Sequence, residues 1–488
     1  MTTSAAVRVA IIGGGVAGLA AAHRLRALLG PSAEITVLEQ ADRLGGKLRT
    51  VSVAGVALDV GAEAYLSRRP EATDLVAELG LTAELTHPTE AGATVRAGGR
   101  TAPLPRRTFL GIPADAADLA DVLSPAGLRR VAEERRLPPL DLAGADVALG
   151  PLLRDRFGAE LADGLAEPLL GGVYAGRLDA LGLRATMPPL AAALDRGPTS
   201  LTAAAAAVLG PPRAGAGSVF TTLRGGLGTL PPLLAERAGA TVRLGTTVRE
   251  LHRTEAGWRL ALGARSSAAG AHAPAEPVLE VDAVVVAVPP PAARRLLATA
   301  APAAAAAYAG IEVASMAVVA LAFAPSVRLP HTSGVLVGAA ERDDAGRPYT
   351  IKAATHSSAK WTHLDGSATV VRASVGRHGD TSPLRAIDGL DDAELIAAVR
   401  ADLADLSGLA AAPIDAVVTR WGGGLPQYGV GHVDLVAAIE RAVAEVPGLA
   451  VAGAALHGVG IPACVATGDG AARRVAGQLG TARELVRR

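Results

Sequence analysis

Residues 7–39 leave the chain little choice of fold. Val7-Arg8-Val9-Ala10-Ile11-Ile12 is a short apolar run and reads as a buried parallel strand. It enters Gly13-Gly14-Gly15-Val16-Ala17-Gly18, a G-x-G-x-x-G turn, and residues 19–29 then keep helical spacing until Gly30-Pro31 stops them. Ile35-Thr36-Val37-Leu38 is a second apolar strand, ending on Glu39. Strand, turn, helix, strand and acid in this register make a dinucleotide-binding βαβ unit. Gly13 permits the tight turn, Gly15 lets the backbone approach a pyrophosphate, and Gly18 lets helix and strand pack closely. The helix start, with Val16 and Ala17, offers unpaired N–H groups and a positive dipole end to phosphates. Glu39 can accept hydrogen bonds from both ribose hydroxyls and repels a 2′-phosphate. In a chain with 57 glycines the turn alone is a weak signal; its surroundings make it specific.

The next residues select the cofactor. Gln40-Ala41-Asp42-Arg43-Leu44-Gly45-Gly46-Lys47 places an R-x-G-G-K element directly after the ribose acid, where an NAD domain has no use for it. In FAD enzymes of the glutathione-reductase type, Arg43 and the Gly45-Gly46 backbone would run beside the pyrophosphate toward the flavin. Asp59-Val60-Gly61-Ala62-Glu63 supplies a following D-x-G element. Together these motifs resemble the flavin amine oxidase superfamily, which includes monoamine oxidases, phytoene desaturases and porphyrinogen oxidases.

Composition bounds the partners. Lys+Arg and Asp+Glu are both 47, so no global positive field exists to attract nucleic acid. At 488 residues the chain should hold two or three domains, and 50% hydrophobic with 19% charged residues allows a large core. The single cysteine, Cys464, excludes a disulfide framework, fits a reducing compartment, and reads as a small buried residue rather than a redox thiol. Met1-Thr2-Thr3-Ser4 lacks the pattern of a signal peptide. The apolar run 313–324 is β-like and too short to span a bilayer. Alanine runs at 203–207 and 303–307 read as compositional bias on helix surfaces.

Along the chain, residues 71–79 read as a helix between Pro70 and Gly80, and 94–105 as a hairpin turning at Gly98-Gly99. From 114 to about 209 strands give way to helical spacing. Inside that stretch, Arg156-Phe157-Gly158 precedes Glu167-Pro168-Leu169-Leu170-Gly171-Gly172-Val173-Tyr174-Ala175-Gly176-Arg177, which is similar to an element joining two helices in porphyrinogen oxidases, with Arg177 in place of an aspartate. Residues 220–228 read as a turn entering a helix, 242–248 as a strand, and 255–280 as a hairpin with an Ala/Ser/Gly tip. Residues 283–288, 317–323 and 369–375 are strands. Ser357-Ser358-Ala359-Lys360-Trp361, Gly376-Arg377 and Pro426-x-Tyr428-x-x-Gly431-His432 also match porphyrinogen oxidases. His432 fits a helix start beside the core better than a catalytic base. The last strand, 449–453, leads through Gly458-Val459-Gly460-Ile461-Pro462 into a final helix, with His457 just before the turn.

The resemblance, nearly end to end, implies an α/β architecture: an FAD-binding Rossmann-like domain (1–68, 215–300, 432–488), an inserted mixed-sheet substrate domain (69–113, 301–431) and a helical insertion (114–214). It implies noncovalent FAD held by Gly13, Gly15, Val16, Ala17, Gly18, Glu39, Gln40, Arg43, Gly45, Gly46, Lys47, Gly61, Ala62, Glu63, Val248 (backbone to adenine), Gly453, Val459, Gly460 and Ile461. No metal is implied. The activity implied is oxygen-dependent oxidation of coproporphyrinogen III, or of protoporphyrinogen IX, in three two-electron steps with peroxide as by-product. Flavin-driven chemistry of this kind requires no catalytic dyad, and none is legible. Coproporphyrinogen carries four propionates and protoporphyrinogen two, so cations on more than one rim favour the former. Arg68 and Arg69 are the best-placed candidates; Arg106, Arg107 and Arg177 come next, and Tyr174 is a further substrate contact. The resemblance also implies a cytoplasmic, at most peripherally membrane-associated enzyme with a transient ferrochelatase contact. Other readings are an amine oxidase, which five Tyr, four Phe and three Trp make a poor source of an aromatic cage, a carotenoid desaturase, or a tetrapyrrole-binding flavoprotein without turnover.

Overall fold

The structure, a computed structural model, describes residues 6–197, 199–211, 218–264, 277–364, 366–380 and 389–487. Its organising layer is a five-stranded parallel sheet in the order Thr241–Arg243, Glu34–Leu38, Arg8–Ile12, Ala283–Val286, Leu449–Val451. The central strand feeds two cores by simple alternation. Val9 and Ile11 join Val37 and Val285 under the first helix (Val16–Leu29) and the last helix (Ile461–Arg487). Ala10 and Ile12 join Leu38, Val284 and Val286 on the other side, with helices Pro290–Leu297, Pro302–Ala309 and His432–Ala444. Cover on both faces is why these strands read as unbroken apolar runs.

Two expectations change here. The alanine runs are helix surface on one side only: Ala203, Ala207, Ala303 and Ala306 are exposed, whereas Ala204, Ala205, Ala304, Ala305 and Ala307 are buried, where the methyl side chain lets neighbouring elements approach closely. Helix Pro302–Ala309 packs beside the parallel sheet, so the expected boundary at 301 falls inside that layer. Strands Thr246–Thr254, Gly257–Ala264 and Val278–Val281 form an antiparallel set; the expected tip, 265–276, lies outside the described residues.

A seven-stranded sheet forms the second layer, in the order Asp415–Pro426, Val313–Phe323, Thr369–Val375, Ile351–Thr355, Gly334–Val337, Ala93–Ala97, Arg100–Pro103. All neighbours are antiparallel except Gly334–Val337 with Ala93–Ala97. One face packs on Val53, Leu58 and Val60 beside Trp361. The other is covered by helix Asp392–Ser407, which starts on a reciprocal capping box between Asp391 and Glu394. Among the described residues, no helix is long and apolar enough to cross a membrane.

A separate core belongs to the helices between residues 116 and 209. Arg156 there is structural: its Nη2 lies 2.7 Å from Oε1 of the fully buried Glu134. Glu134 also accepts from the Leu201 and Thr202 N–H groups, at 2.8 and 3.2 Å, so it satisfies the start of helix Leu201–Leu209. The stretch expected to join two helices is itself a helix, Glu167–Tyr174. Pro168 comes just after a π-helical turn, Ala162–Ala166, in one continuous helical run, and Ala175, at φ +48°, ends that run.

Candidate active site

The three glycines of the first turn do different work. A Cβ on Gly18 would lie 2.1 Å from the Gly13 carbonyl oxygen, and one on Gly13, at φ +110°, 2.4 Å from the Ala287 carbonyl oxygen. Gly15 sits at φ −76° and ψ 175°, and its Cβ would meet nothing within 4 Å. Open space therefore lies above Gly15, at the start of a helix that no side chain caps. Val16 and Ala17 form the first turn of that helix. Glu39 turns back onto this loop: its Oε2 accepts from the Gly14 N–H and its Oε1 from the Ala41 N–H, both at 2.8 Å. Gln40 is exposed beside it.

The R-x-G-G-K loop docks on the same turn, with the Gly45 N–H donating to the Gly14 carbonyl at 2.8 Å and Gly46 packing on Gly15. Arg43 shapes this loop. Its guanidinium donates to the carbonyls of Leu44 and Gly46, at 3.1 and 2.8 Å, and lies 5.7 Å from the Trp421 ring centroid. These internal bonds fix the Gly45-Gly46 backbone, beside which Arg43 is expected to face the pyrophosphate. The Lys47 carbonyl accepts from the Ala62 N–H at 3.0 Å, joining this loop to the D-x-G element. Burial lowers the pKa of the Lys47 ammonium, which neighbours Cys464. The Cys464 thiol is buried and pushed up to about 11, so it stays protonated.

Two motifs far apart in sequence meet at Glu63. Its carboxylate accepts from Lys360 Nζ at 2.8 Å and from Trp361 Nε1 at 2.9 Å. Burial opposes its ionisation, but the charges of Lys360 and Arg372 and these two bonds hold it at about 2. Arg372 donates to the carbonyls of Asp59 and Gly61, at 2.9 and 2.8 Å, so the mixed sheet grips the backbone on both sides of Val60. Asp59 takes the opposite path: burial raises it to about 6 against bonds from Thr50 and the Leu227 N–H.

Val248 lies on the strand that starts beside Glu39, whose carbonyl accepts from the Thr246 N–H at 2.9 Å. The Val248 carbonyl accepts from Arg295 at 3.1 Å, next to a bulge in the strand pairing. At the other end, Gly453 (φ +125°) borders open space, and Gly460, where a Cβ would touch Pro462 Cδ at 3.8 Å, directly precedes the last helix, which opens with Ile461. Val459 packs against the helical core.

The segment after Gly453 hangs on Tyr428. This buried phenol donates to the Ala454 carbonyl at 2.7 Å and accepts from the Gly458 N–H at 2.8 Å. Burial, with Tyr174 adjacent, raises its pKa, so it remains a donor. His432 stacks on it at 3.9 Å and starts a helix, as its motif suggests; burial lowers the imidazole pKa. His457 is exposed and paired with Glu440 at 2.6 Å.

The expected substrate cations are distributed unevenly. Arg68 is exposed. Arg69 is held by Glu71 at 2.6 Å and borders a groove of about 520 Å³ between helices His432–Ala444 and Ile461–Arg487, with Glu440 and His457 on its rim. Arg106 is exposed; Arg107 reaches the Gly210 carbonyl at 3.4 Å and Asp118 at 3.9 Å. Arg177 is exposed on the turn after Tyr174, and Tyr174 is buried 5.5 Å from the Tyr428 ring. Sequence reasoning missed Lys352, whose amine is fully buried, donates to the Gly376 carbonyl at 2.9 Å and is lowered by burial and by Arg377 to about 7. A lysine flanked by apolar residues in Tyr349-Thr350-Ile351-Lys352-Ala353-Ala354 was the available signal. Among the described residues no cluster of His, Cys, Asp and Glu could hold a metal ion.

The Glu39 carboxylate, the open space over Gly15 at the first helix start and the turn into the last helix are the parts of the dinucleotide cradle that the sequence motifs predict. The profile of the family described as flavin containing amine oxidoreductase matches residues 16–476. Coproporphyrinogen III oxidase of Mycobacterium tuberculosis is 41% identical over 455 residues, covering 93% of this chain and 94% of that protein. The Bacillus subtilis coproporphyrinogen III oxidase is 31% identical over 483 residues, with 95% and 96% covered. A crystal structure from Exiguobacterium sp. 255-15, provisionally described as a protoporphyrinogen oxidase, superposes with a TM-score of 0.81 at 30% identity, over 96% of this chain and 98% of that one. Over nearly its whole length, therefore, this chain belongs to the flavin-containing amine oxidoreductase family.

Proposed function

We propose that this chain binds FAD noncovalently and oxidises coproporphyrinogen III to coproporphyrin III with oxygen, in haem biosynthesis. The observation that carries the reading is the 41% identity over 93% of the chain to coproporphyrinogen III oxidase, joined to the dinucleotide cradle. Glu39 would hold the adenosine ribose, the Gly15 and Gly45-Gly46 backbone the pyrophosphate, and the Gly61-Ala62 and Val459-Gly460-Ile461 segments the flavin ring. Val248 would meet adenine through its backbone. FAD supplies the two-electron chemistry, and oxygen takes the electrons. The chain's own part is orientation and exclusion of water.

Incubation with each porphyrinogen in air, following porphyrin fluorescence and peroxide, tests the reading. Coproporphyrinogen III should give the higher kcat/KM. Preference for protoporphyrinogen IX would leave an oxidase of the two-propionate substrate, and flavin binding without turnover would leave a tetrapyrrole-binding flavoprotein. Propionate recognition is expected to rest on Arg68 more than on Arg69, since Glu71 already holds Arg69. Arg68→Ala should raise KM for coproporphyrinogen about fivefold, roughly 1 kcal/mol for a charged hydrogen bond at an exposed site. Arg69→Ala should raise it less, and steady-state kinetics on the two variants decides the order.

A further inference from the structure

The helical insertion packs on Tyr428, which in turn holds the loop before the last helix. Tyr174, the last residue of helix Glu167–Tyr174, lies against the Tyr428 ring at 5.5 Å and 42°. The turn that follows is pinned to the rest of the molecule: Gln427 Nε2 donates to the Tyr174 carbonyl at 2.9 Å, and the His378 N–H to the Ala175 carbonyl at 2.6 Å. The Tyr428 carbonyl accepts from the Gly182 N–H at 2.8 Å, a third tie to the insertion. On its other face His432 stacks on Tyr428 at 20°. The hydroxyl then bridges Ala454 and Gly458, the two ends of the loop leading to Val459-Gly460-Ile461. A hydroxyl that both donates and accepts fixes the separation of those backbone groups, which an apolar contact would not.

We propose that Tyr428 is a positioning residue for the flavin: it holds the 454–458 loop so that the start of the last helix faces the cofactor, and it registers that loop against the helical insertion. The inference rests on the reading that residues 459–461 face FAD. It does not depend on which porphyrinogen is oxidised.

The test is Tyr428→Phe, which keeps the ring stack and removes both hydrogen bonds. Flavin affinity, measured by titrating the apoprotein with FAD, should fall about tenfold, the equivalent of one to two ordinary hydrogen bonds. The bound-flavin absorption bands should shift, and kcat should fall more than KM rises. Tyr349→Phe is the matched control: it removes another buried phenol hydroxyl, one bonded to Asp405 under helix Asp392–Ser407, and should leave flavin affinity and spectrum unchanged. Hydrogen exchange on the unaltered apoprotein supplies an arm that needs no variant. The Gly458 N–H should already be protected before FAD is added. Parent-like flavin affinity and spectrum in Tyr428→Phe, or free exchange at Gly458 in the apoprotein, overturns the proposal. A shifted flavin in Tyr428→Phe, with no porphyrinogen turnover by the parent, upholds it and removes the oxidase reading instead.

Discussion

Replacing Gly15 with leucine should abolish FAD binding and leave a folded protein. Its φ and ψ are ordinary for any L-residue, and an added Cβ meets no protein atom within 4 Å. No protein atom meets a Cβ there, so the reason to expect glycine is the proposed approach of the FAD pyrophosphate to the backbone. A leucine side chain would fill the space over the helix start and cover the N–H groups that receive phosphate. Flavin affinity should fall at least about a thousandfold, roughly 4 kcal/mol, while the urea midpoint of the apoprotein stays near that of the parent. Gly18→Val is the contrast. Its Cβ would strike the Gly13 carbonyl oxygen at 2.1 Å, backbone that cannot move away. That change should cost more than about 4 kcal/mol and remove the folded protein itself. Tight FAD binding by Gly15→Leu would mean that the pyrophosphate lies elsewhere.

The same contrast shows what the sequence could reveal. The βαβ unit was legible because all its determinants are local: alternation sends Val9 and Ile11 one way and Ala10 and Ile12 the other, and the glycines sit between them in order. Helix starts and the hairpin at Gly98-Gly99 were legible for the same reason. Pairings across long separations were not. Glu63 meets Lys360 across 297 residues, and each motif alone gives no sign of the other. Tyr428 and Ala454 are closer, but a phenol bridging two backbone groups has no sequence periodicity. The buried pair of Glu134 and Arg156 was hidden by the rule that charges lie outside, which holds only until a charge finds a partner and helix N–H groups to satisfy it. Arg69 shows a local pairing that the sequence already offered. Glu71 is two residues away, and that spacing already offered it a partner before any substrate did.

Lys360→Met should destabilise the protein by about 3 kcal/mol at pH 7, and the deficit should shrink as pH falls. The Glu63 side chain is only 14% exposed, and its folded pKa of about 2 stands against an ordinary value of 4.5. That difference corresponds to about 3 kcal/mol of stability. The sign follows from the direction: a depressed carboxyl contributes fully above about pH 4.5, and the contribution is lost as pH falls toward about 2. Without Lys360, burial, the largest influence on Glu63, is opposed only by Arg372 and the Trp361 bond, so its folded pKa rises and the contribution at neutral pH goes. Urea unfolding of parent and variant should therefore differ most at pH 7 and converge between about pH 4.5 and 2. Asp59 cannot mimic this pattern. Its pKa is raised to about 6, so its contribution is present in acid and lost as pH rises through 6, in parent and variant alike. Glu63→Gln combined with Lys360→Met removes both charges and should recover most of the loss, because an amide in that place can still accept from Trp361. Flavin affinity should track the same series, since Glu63 directly follows Gly61-Ala62 and Arg372 holds that backbone from the mixed sheet. A Lys360→Met deficit that does not change with pH would show that the lysine acts through packing over Trp361 and not through the charge of Glu63.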